Sequence, residues 1–108
     1  MNTQLKKGTI ELAILKSLSV KDNYGYEIGK FIASEIDVKE GTIYLILQRL
    51  EKSEILDSYF KSENNSKRRK YYTLTTKGTE YLEALLVEWE KLSQFIANCG
   101  QSQKENNE

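Results

Sequence analysis

The sequence predicts a mainly α fold with one small β-hairpin, an α+β class, on three observations. Between Val38 and Ser53, Ile43, Ile46, Leu47 and Leu50 recur at i, i+3, i+4 and i+7, the spacing of one buried helix face. Directly afterwards come two strand-like runs, Leu56–Lys61 and Lys70–Leu74. They flank a tip, Ser62-Glu63-Asn64-Asn65-Ser66, that has no apolar side chain. Near the end, Leu82, Leu85, Trp89, Leu92, Ile96 and Cys99 alternate spacings of three and four, an a/d seam over roughly three heptads.

In chain order, residues 9–19 read as a first helix with a stripe of Ile10, Ala13, Ile14 and Leu18, widened by Leu12 and Leu15. Thr9 or Gly8 can cap its start. Lys21-Asp22-Asn23 reads as a turn. A second helix from about Gly25 to Ser34 is expected to bury Ile28, Phe31 and Ile32, with Tyr24 and Tyr26 at its entry. The central helix follows, with Thr42, Tyr44, Leu45, Gln48 and Lys52 on its outer face and Lys39 and Glu40 just ahead. Two helices joined by a short turn, the second polar at its outward opening, fit a helix-turn-helix, and the hairpin behind them is a wing. Along the second strand, one of Tyr71 and Tyr72 is expected to pack inward and the other to be more exposed, because side chains alternate. Thr75 or Thr76 caps a last helix from about Lys77 to Asn98, and Gly100 ends it.

The expected domains are therefore a winged helix-turn-helix over residues 1–75, a dimerisation helix over 76–99, and a polar, disordered tail over 100–108.

With 108 residues the chain is expected to form one domain, small enough to make dimerisation a reasonable expectation. The 16 basic and 16 acidic residues cancel, but their distribution is uneven. Residues 1–77 hold all the cations except Lys91 and Lys104, whereas 78–108 hold Glu80, Glu83, Glu88, Glu90, Glu105 and Glu108. A basic front with an acidic rear suits a body that turns one side to a polyanion. Cys99 stands alone, so an internal disulfide is excluded and a reducing, cytoplasmic location is expected. Histidine is absent, which removes His-based acid–base chemistry, His-dependent triads and His/Cys zinc sites. With no phosphate loop or nucleophile–base pair, neither an enzyme, a metal nor a cofactor is expected, and no apolar run is long enough for a membrane.

Four short motifs add specificity: Tyr24-Gly25-Tyr26-Glu27-Ile28; Gly41-Thr42-Ile43-Tyr44; Gln48-Arg49-Leu50-Glu51-Lys52; and Arg69-Lys70-Tyr71-Tyr72-Thr73-Leu74-Thr75 with Gly78. In this order and spacing, over about residues 5–99, the chain resembles the PadR family of transcriptional regulators, in its small subfamily with a single C-terminal dimerisation helix. Two positions depart from the family pattern. Leu45 stands where many relatives have proline, which bears on how the recognition helix sits on DNA. Glu54 stands where most have glycine, which implies a turn without positive φ.

The resemblance implies that Gly41 lets backbone approach DNA and that Thr42 and Tyr44 offer hydroxyls to phosphates or base edges, with Lys39 and Gln48 beside them. Tyr44 has a second reading, an aromatic packed on the second helix. Lys67, Arg68, Arg69 and Lys70 are read as phosphate ligands on the wing, with Lys61 nearby. Arg49 and Glu51 are read as structural charges. The seam is expected to pair with its copy and with the partner's first helix, presenting two recognition helices to an inverted-repeat operator on double-stranded DNA; folding back on its own first helix is the competing arrangement. Trp89 is either dimer core or, as the resemblance to multidrug-binding members implies, a stacking surface for a planar aromatic ligand, with Leu92, Ser93, Leu12 and Glu11 lining the site. Cys99 is a seam residue or a redox sensor. The expected function is a dimeric repressor released by such a ligand, the alternative being a winged-helix protein-interaction module.

Overall fold

The computed structural model describes residues 3–106, and their side chains over 5–101. The chain runs α1 (Thr3–Val20), β1 (Asn23–Tyr24), α2 (Gly25–Glu35), α3 (Glu40–Lys52), β2 (Leu56–Lys61), β3 (Arg69–Leu74) and α4 (Thr76–Asn106). Helix α1 starts six residues before the expected Thr9, whose hydroxyl donates to the Leu5 carbonyl at 2.7 Å instead of capping.

The hairpin forms as expected, but it is part of a three-stranded antiparallel sheet in the order β1-β3-β2. Asn23, read as the end of a turn, and Tyr24, read as a helix entry, thus form a short strand, with Asn23 opposite Tyr72 and Tyr24 opposite Tyr71. This third strand corrects the expectation for Tyr71 and Tyr72, both of which are buried. Tyr72 joins the helical core. Tyr71 lies on the outer face of the sheet, where the rings of Tyr24 and Tyr59 cover it at 5.4 and 5.6 Å. The Tyr59 hydroxyl donates to Asp22 at 2.7 Å, and that bond above all pushes the Tyr59 phenol up to about 12.

Ile14, Leu15, Ile32, Ile43, Leu47, Leu50 and Leu56 are the fully buried side chains at the centre. Ile43, Leu47 and Leu50 belong to α3, whose inner face is the predicted one except that Ile46 is half-buried. On α2 the buried arc is Ile28, Gly29 and Ile32, and Phe31 is exposed, contrary to expectation. At about 100° per residue, Phe31 lies about 105° from the centre of that arc. Gly29 draws the arc toward α3, because the Tyr44 ring comes within 3.4 Å of where a Cβ would stand.

The exit from α3 is held by its own cap. Ile55 N–H donates to Leu50 O and Glu54 N–H to Glu51 O, both at 3.0 Å, the paired bonds of a Schellman motif. Glu54 has φ 65°, so the turn does use positive φ although its residue is not glycine. Thr75, not Thr76, caps α4: its hydroxyl oxygen accepts from Gly78 N–H at 2.9 Å, and its hydroxyl donates to Glu54 O at 2.7 Å. A Cβ on Gly78 would stand 2.1 Å from Ile55 O, so glycine is required where α4 crosses this turn.

Helix α4 continues through Gly100, which has no positive φ. Glycine weakens a helix but ends one only by turning left-handed, and here it does not. Only the first part of α4 packs on its own domain. Leu82 is buried in the core, Leu85 and Leu86 pack against it, and Trp89, Leu92, Phe95 and Ile96 are exposed. At 31 residues α4 is roughly 46 Å long, which accounts for extents of 69 × 29 × 23 Å.

Because an L-residue in the left-handed region costs roughly 1–2 kcal/mol and glycine returns part of that as backbone entropy, Glu54→Gly should stabilise the fold by about 0.5–1 kcal/mol. Gly78→Ala should destabilise it by about 1–3 kcal/mol or more through overpacking. Urea unfolding of both variants checks the pair; an unchanged or lower midpoint for Glu54→Gly would show that the turn is unstrained.

Candidate nucleic-acid interface

Helix α3 is gripped from behind and open in front. Lys39, its N-cap residue, is extended and makes no side-chain cap bond. Lys39, Gly41, Thr42 and Gln48 are exposed, as is Leu45. A Cβ on Gly41 would meet nothing within 4 Å, so packing within the chain does not demand glycine there and the backbone is open to an external surface. Tyr44 has a packing role: its ring lies on α2 within 3.8 Å of a Cβ at Gly25 and 3.4 Å of one at Gly29. Burial, then Glu40, raises its phenol above the ordinary range, so its hydroxyl remains a neutral donor at physiological pH.

The cationic run after the wing tip divides by partner. Lys67, Arg68 and Arg69 are exposed. The Arg68 guanidinium lies 4.7 Å over the Phe60 ring, and that of Arg69 lies 4.4 Å over Tyr24. Lys70 is different: it is half-buried and donates to Glu51 at 2.9 Å, so it is a brace and not a free phosphate ligand. Strand alternation sends Arg69 to the outer face and Lys70 to the helix side. Lys61 is paired with Glu63 at 3.1 Å.

A cleft of about 460 Å³ joins these parts, lined by Tyr24, Gly25, Tyr26 and Tyr44 on one side and by Lys67, Arg69, Lys70 and Tyr72 on the other. Tyr44 of α3, the entry of α2 and the wing therefore share one concave surface. The sequence places Tyr24 and Tyr26 at the entry of the second helix but does not mark them as part of this surface, where Tyr26 is exposed and Tyr24 holds Arg69. Their cue was the pairing of β1 with β3, a contact between distant segments that local periodicity does not register.

On the far side of α3, Lys6 Nζ donates to Asp37 O at 2.8 Å and ties α1 to the α2–α3 turn. Lys6, Lys7, Lys39 and Thr42 line a groove there with Ile10, Val38 and Ile46. Lys6 and Lys7 thus add two cations beside the opening of α3.

The residues expected at a ligand site and a dimer seam are only partly free. Glu11 accepts from Arg49 at 3.1 Å and from Tyr81 at 2.8 Å, tying α1 to α3 and α4, so its carboxylate is occupied within the chain. Leu12 is half-buried against the core. Leu82 belongs to the chain's own core and is withdrawn from the seam, because a side chain 4% exposed has no surface left for a partner. Trp89, Leu92, Ser93, Ile96 and Cys99 stand on the exposed length of α4.

Glu51 joins α3 to both wing strands, accepting from Lys70 and from the Ser58 hydroxyl. The bonds from Lys70 and then Ser58 hold its carboxyl below the usual range. A depressed folded-state pKa contributes stability that is present above the unfolded value of about 4.3 and lost as pH falls through the folded one. The urea midpoint should therefore fall as pH drops below about 5, and Glu51→Gln should flatten that part of the profile. An identical acid limb in the variant would mean that Glu51 does not brace the wing.

The PadR-like family of transcriptional regulators matches residues 14–84. A crystal structure of a PadR-like transcriptional regulator from Bacillus cereus is similar with a TM-score of 0.82 and 34% identity, over 92% of this chain and 98% of that one. A PadR-family regulator from Clostridium difficile is 40% identical, with a TM-score of 0.75 over 82% of this chain and 95% of that one. Bacillus subtilis PadR, solved in complex with operator DNA, shares the fold at a TM-score of 0.62 and 23% identity, over 88% of this chain and 62% of that one. Motifs, fold and relatives agree: this chain is a member of the PadR-like family of transcriptional regulators.

Proposed function

We propose that this regulator is a dimeric repressor that grips an inverted-repeat operator on double-stranded DNA. The observation that carries the reading is a cleft that Tyr44 of α3 and the entry of α2 share with Lys67 and Arg69 of the wing, beside the exposed opening of α3. Lys39, Gly41, Thr42 and Gln48 would meet the major groove, and Lys67, Arg68 and Arg69 the phosphates. Operator DNA in the Bacillus subtilis PadR complex supports the same use of the shared fold.

The dimer would form through the exposed length of α4. Trp89, Leu92, Phe95 and Ile96 are each at least half exposed, a cost that pairing with a second copy removes. Leu85 would join them at the root of the arm, and Cys99 at its end as a small seam residue. A planar aromatic ligand would stack on Trp89 between subunits, with Leu92, Ser93 and Leu12 as walls. Glu11 would contribute only after release from Arg49 and Tyr81. Such a ligand loosens DNA binding only by favouring a spacing of the two α3 helices that does not fit the operator, since equal affinity for both states shifts nothing. Among the described residues, no helix is long and apolar enough to cross a membrane.

Fluorescence anisotropy with duplexes at several salt concentrations tests the reading. Binding should weaken steeply with salt, and Lys67→Ala or Arg69→Ala should weaken it for all duplexes alike, each lost phosphate contact lowering the log–log salt slope by about 1. Thr42→Ala should instead relax the preference between sequences. A molecule that stays monomeric, or a dimer that binds scrambled duplex as well as an inverted repeat, would overturn the proposal. Trp89→Glu should shift the molecule to monomer in sedimentation, and saturable quenching of Trp89 by planar dyes in the intact dimer checks the ligand site.

A further inference from the structure

Phe60 is a large apolar side chain placed where burial does not explain it. It stands near the far end of β2, 58% exposed. Its partner in the ladder is Lys70, and that of Ser58 is Tyr72, so these four share one face of the hairpin. Near the body this face packs on the helices through Tyr72. Near the tip it carries the Phe60 ring with the Arg68 guanidinium 4.7 Å above it.

A guanidinium laid on a ring is pre-ordered, whereas a free side chain of that length has to give up its rotamer freedom on binding. It is also planar and weakly hydrated, which suits a narrow groove more than an ammonium does. The strands are six residues long, about 20 Å. The major groove is about 12 Å wide, so with α3 seated in it a wing of this length is long enough to cross the bounding phosphates and meet the neighbouring minor groove. There A·T tracts narrow the groove and concentrate its negative potential, the setting in which an inserted arginine reads shape.

We propose that Arg68, held in place by Phe60, senses the width of the minor groove beside the site gripped by α3 and thereby selects A·T-rich flanks. The inference rests on the DNA-binding reading and gives one wing cation a discriminating role. Arg68 touches the DNA; Phe60 is a positioning residue that acts through it. Lys67 and Arg69 remain general phosphate ligands; Arg69 is ordered as well, but on Tyr24, at the opposite face of the sheet from Phe60.

The test uses a duplex selected by the protein from a randomised pool, remade with the same centre and either A·T or G·C flanks. The full-length protein should prefer the A·T version by about tenfold. Phe60→Leu keeps an apolar side chain but removes the ring, and it should abolish that preference. Phe60→Tyr, which retains the ring, should restore it. Arg68→Ala should abolish it as well, whereas Lys67→Ala should weaken both duplexes equally. Equal affinity of the full-length protein for the two flanks, or a preference that survives Phe60→Leu, overturns the inference while the DNA-binding reading stands. Failure to select any duplex overturns both.

Discussion

Everything outward-facing in this molecule depends on the burial of one helix face. Ile43, Leu47 and Leu50 are 0–1% exposed, and each buried aliphatic side chain is worth about 1.5–3 kcal/mol over leaving it in water. That holds α3 against α1 and α2, with Tyr44 wedged on the glycines of α2 as a second constraint. A helix held this firmly offers Lys39, Gly41, Thr42 and Gln48 as a rigid set. Rigidity matters to the proposed function, because a helix that reads a groove gains specificity only if its side chains are already in register when they meet the bases.

The wing is coupled to the same helix by polar contacts. Glu51 takes bonds from both strands, the Schellman turn fixes the departure angle, and Thr75 ties that turn to α4. Cations that look equivalent in sequence therefore have different roles. Lys70 is occupied as a brace, Arg68 and Arg69 are ordered on rings, and Lys67 is exposed beside them. A positively charged strand is in this way divided between holding the fold and facing solvent.

Helix α4 makes a similar division along its length. Its first turns complete the monomer's core through Leu82, and the later ones carry Trp89, Leu92, Phe95 and Ile96 into solvent. Glu88 and Glu90 are exposed on the same length of α4. The exposed apolar length of α4 and the cationic wing are thus distinct surfaces of a chain of zero net charge.

The order of helices, the hairpin, the inner face of α3 and the exposed start of that helix could all be read from the sequence. Each depends on residues within one or two turns or a few strand positions of each other, and local periodicity reports such neighbours. Tertiary structure alone decided what each long side chain meets. β1 became a strand because β3 lay beside it, which also buried Tyr71; Phe31 was left outside because Gly29 and Tyr44 pulled the arc of α2 toward α3. Lys70, Glu11 and Leu82 were assigned to DNA, ligand and partner, and each found a partner inside its own chain. The left-handed Glu54 was equally hidden, because the Schellman bonds and the approach of α4 impose that conformation on a residue that does not favour it. Spacing along a chain records which way a side chain points, whereas its partner is set by segments tens of residues away.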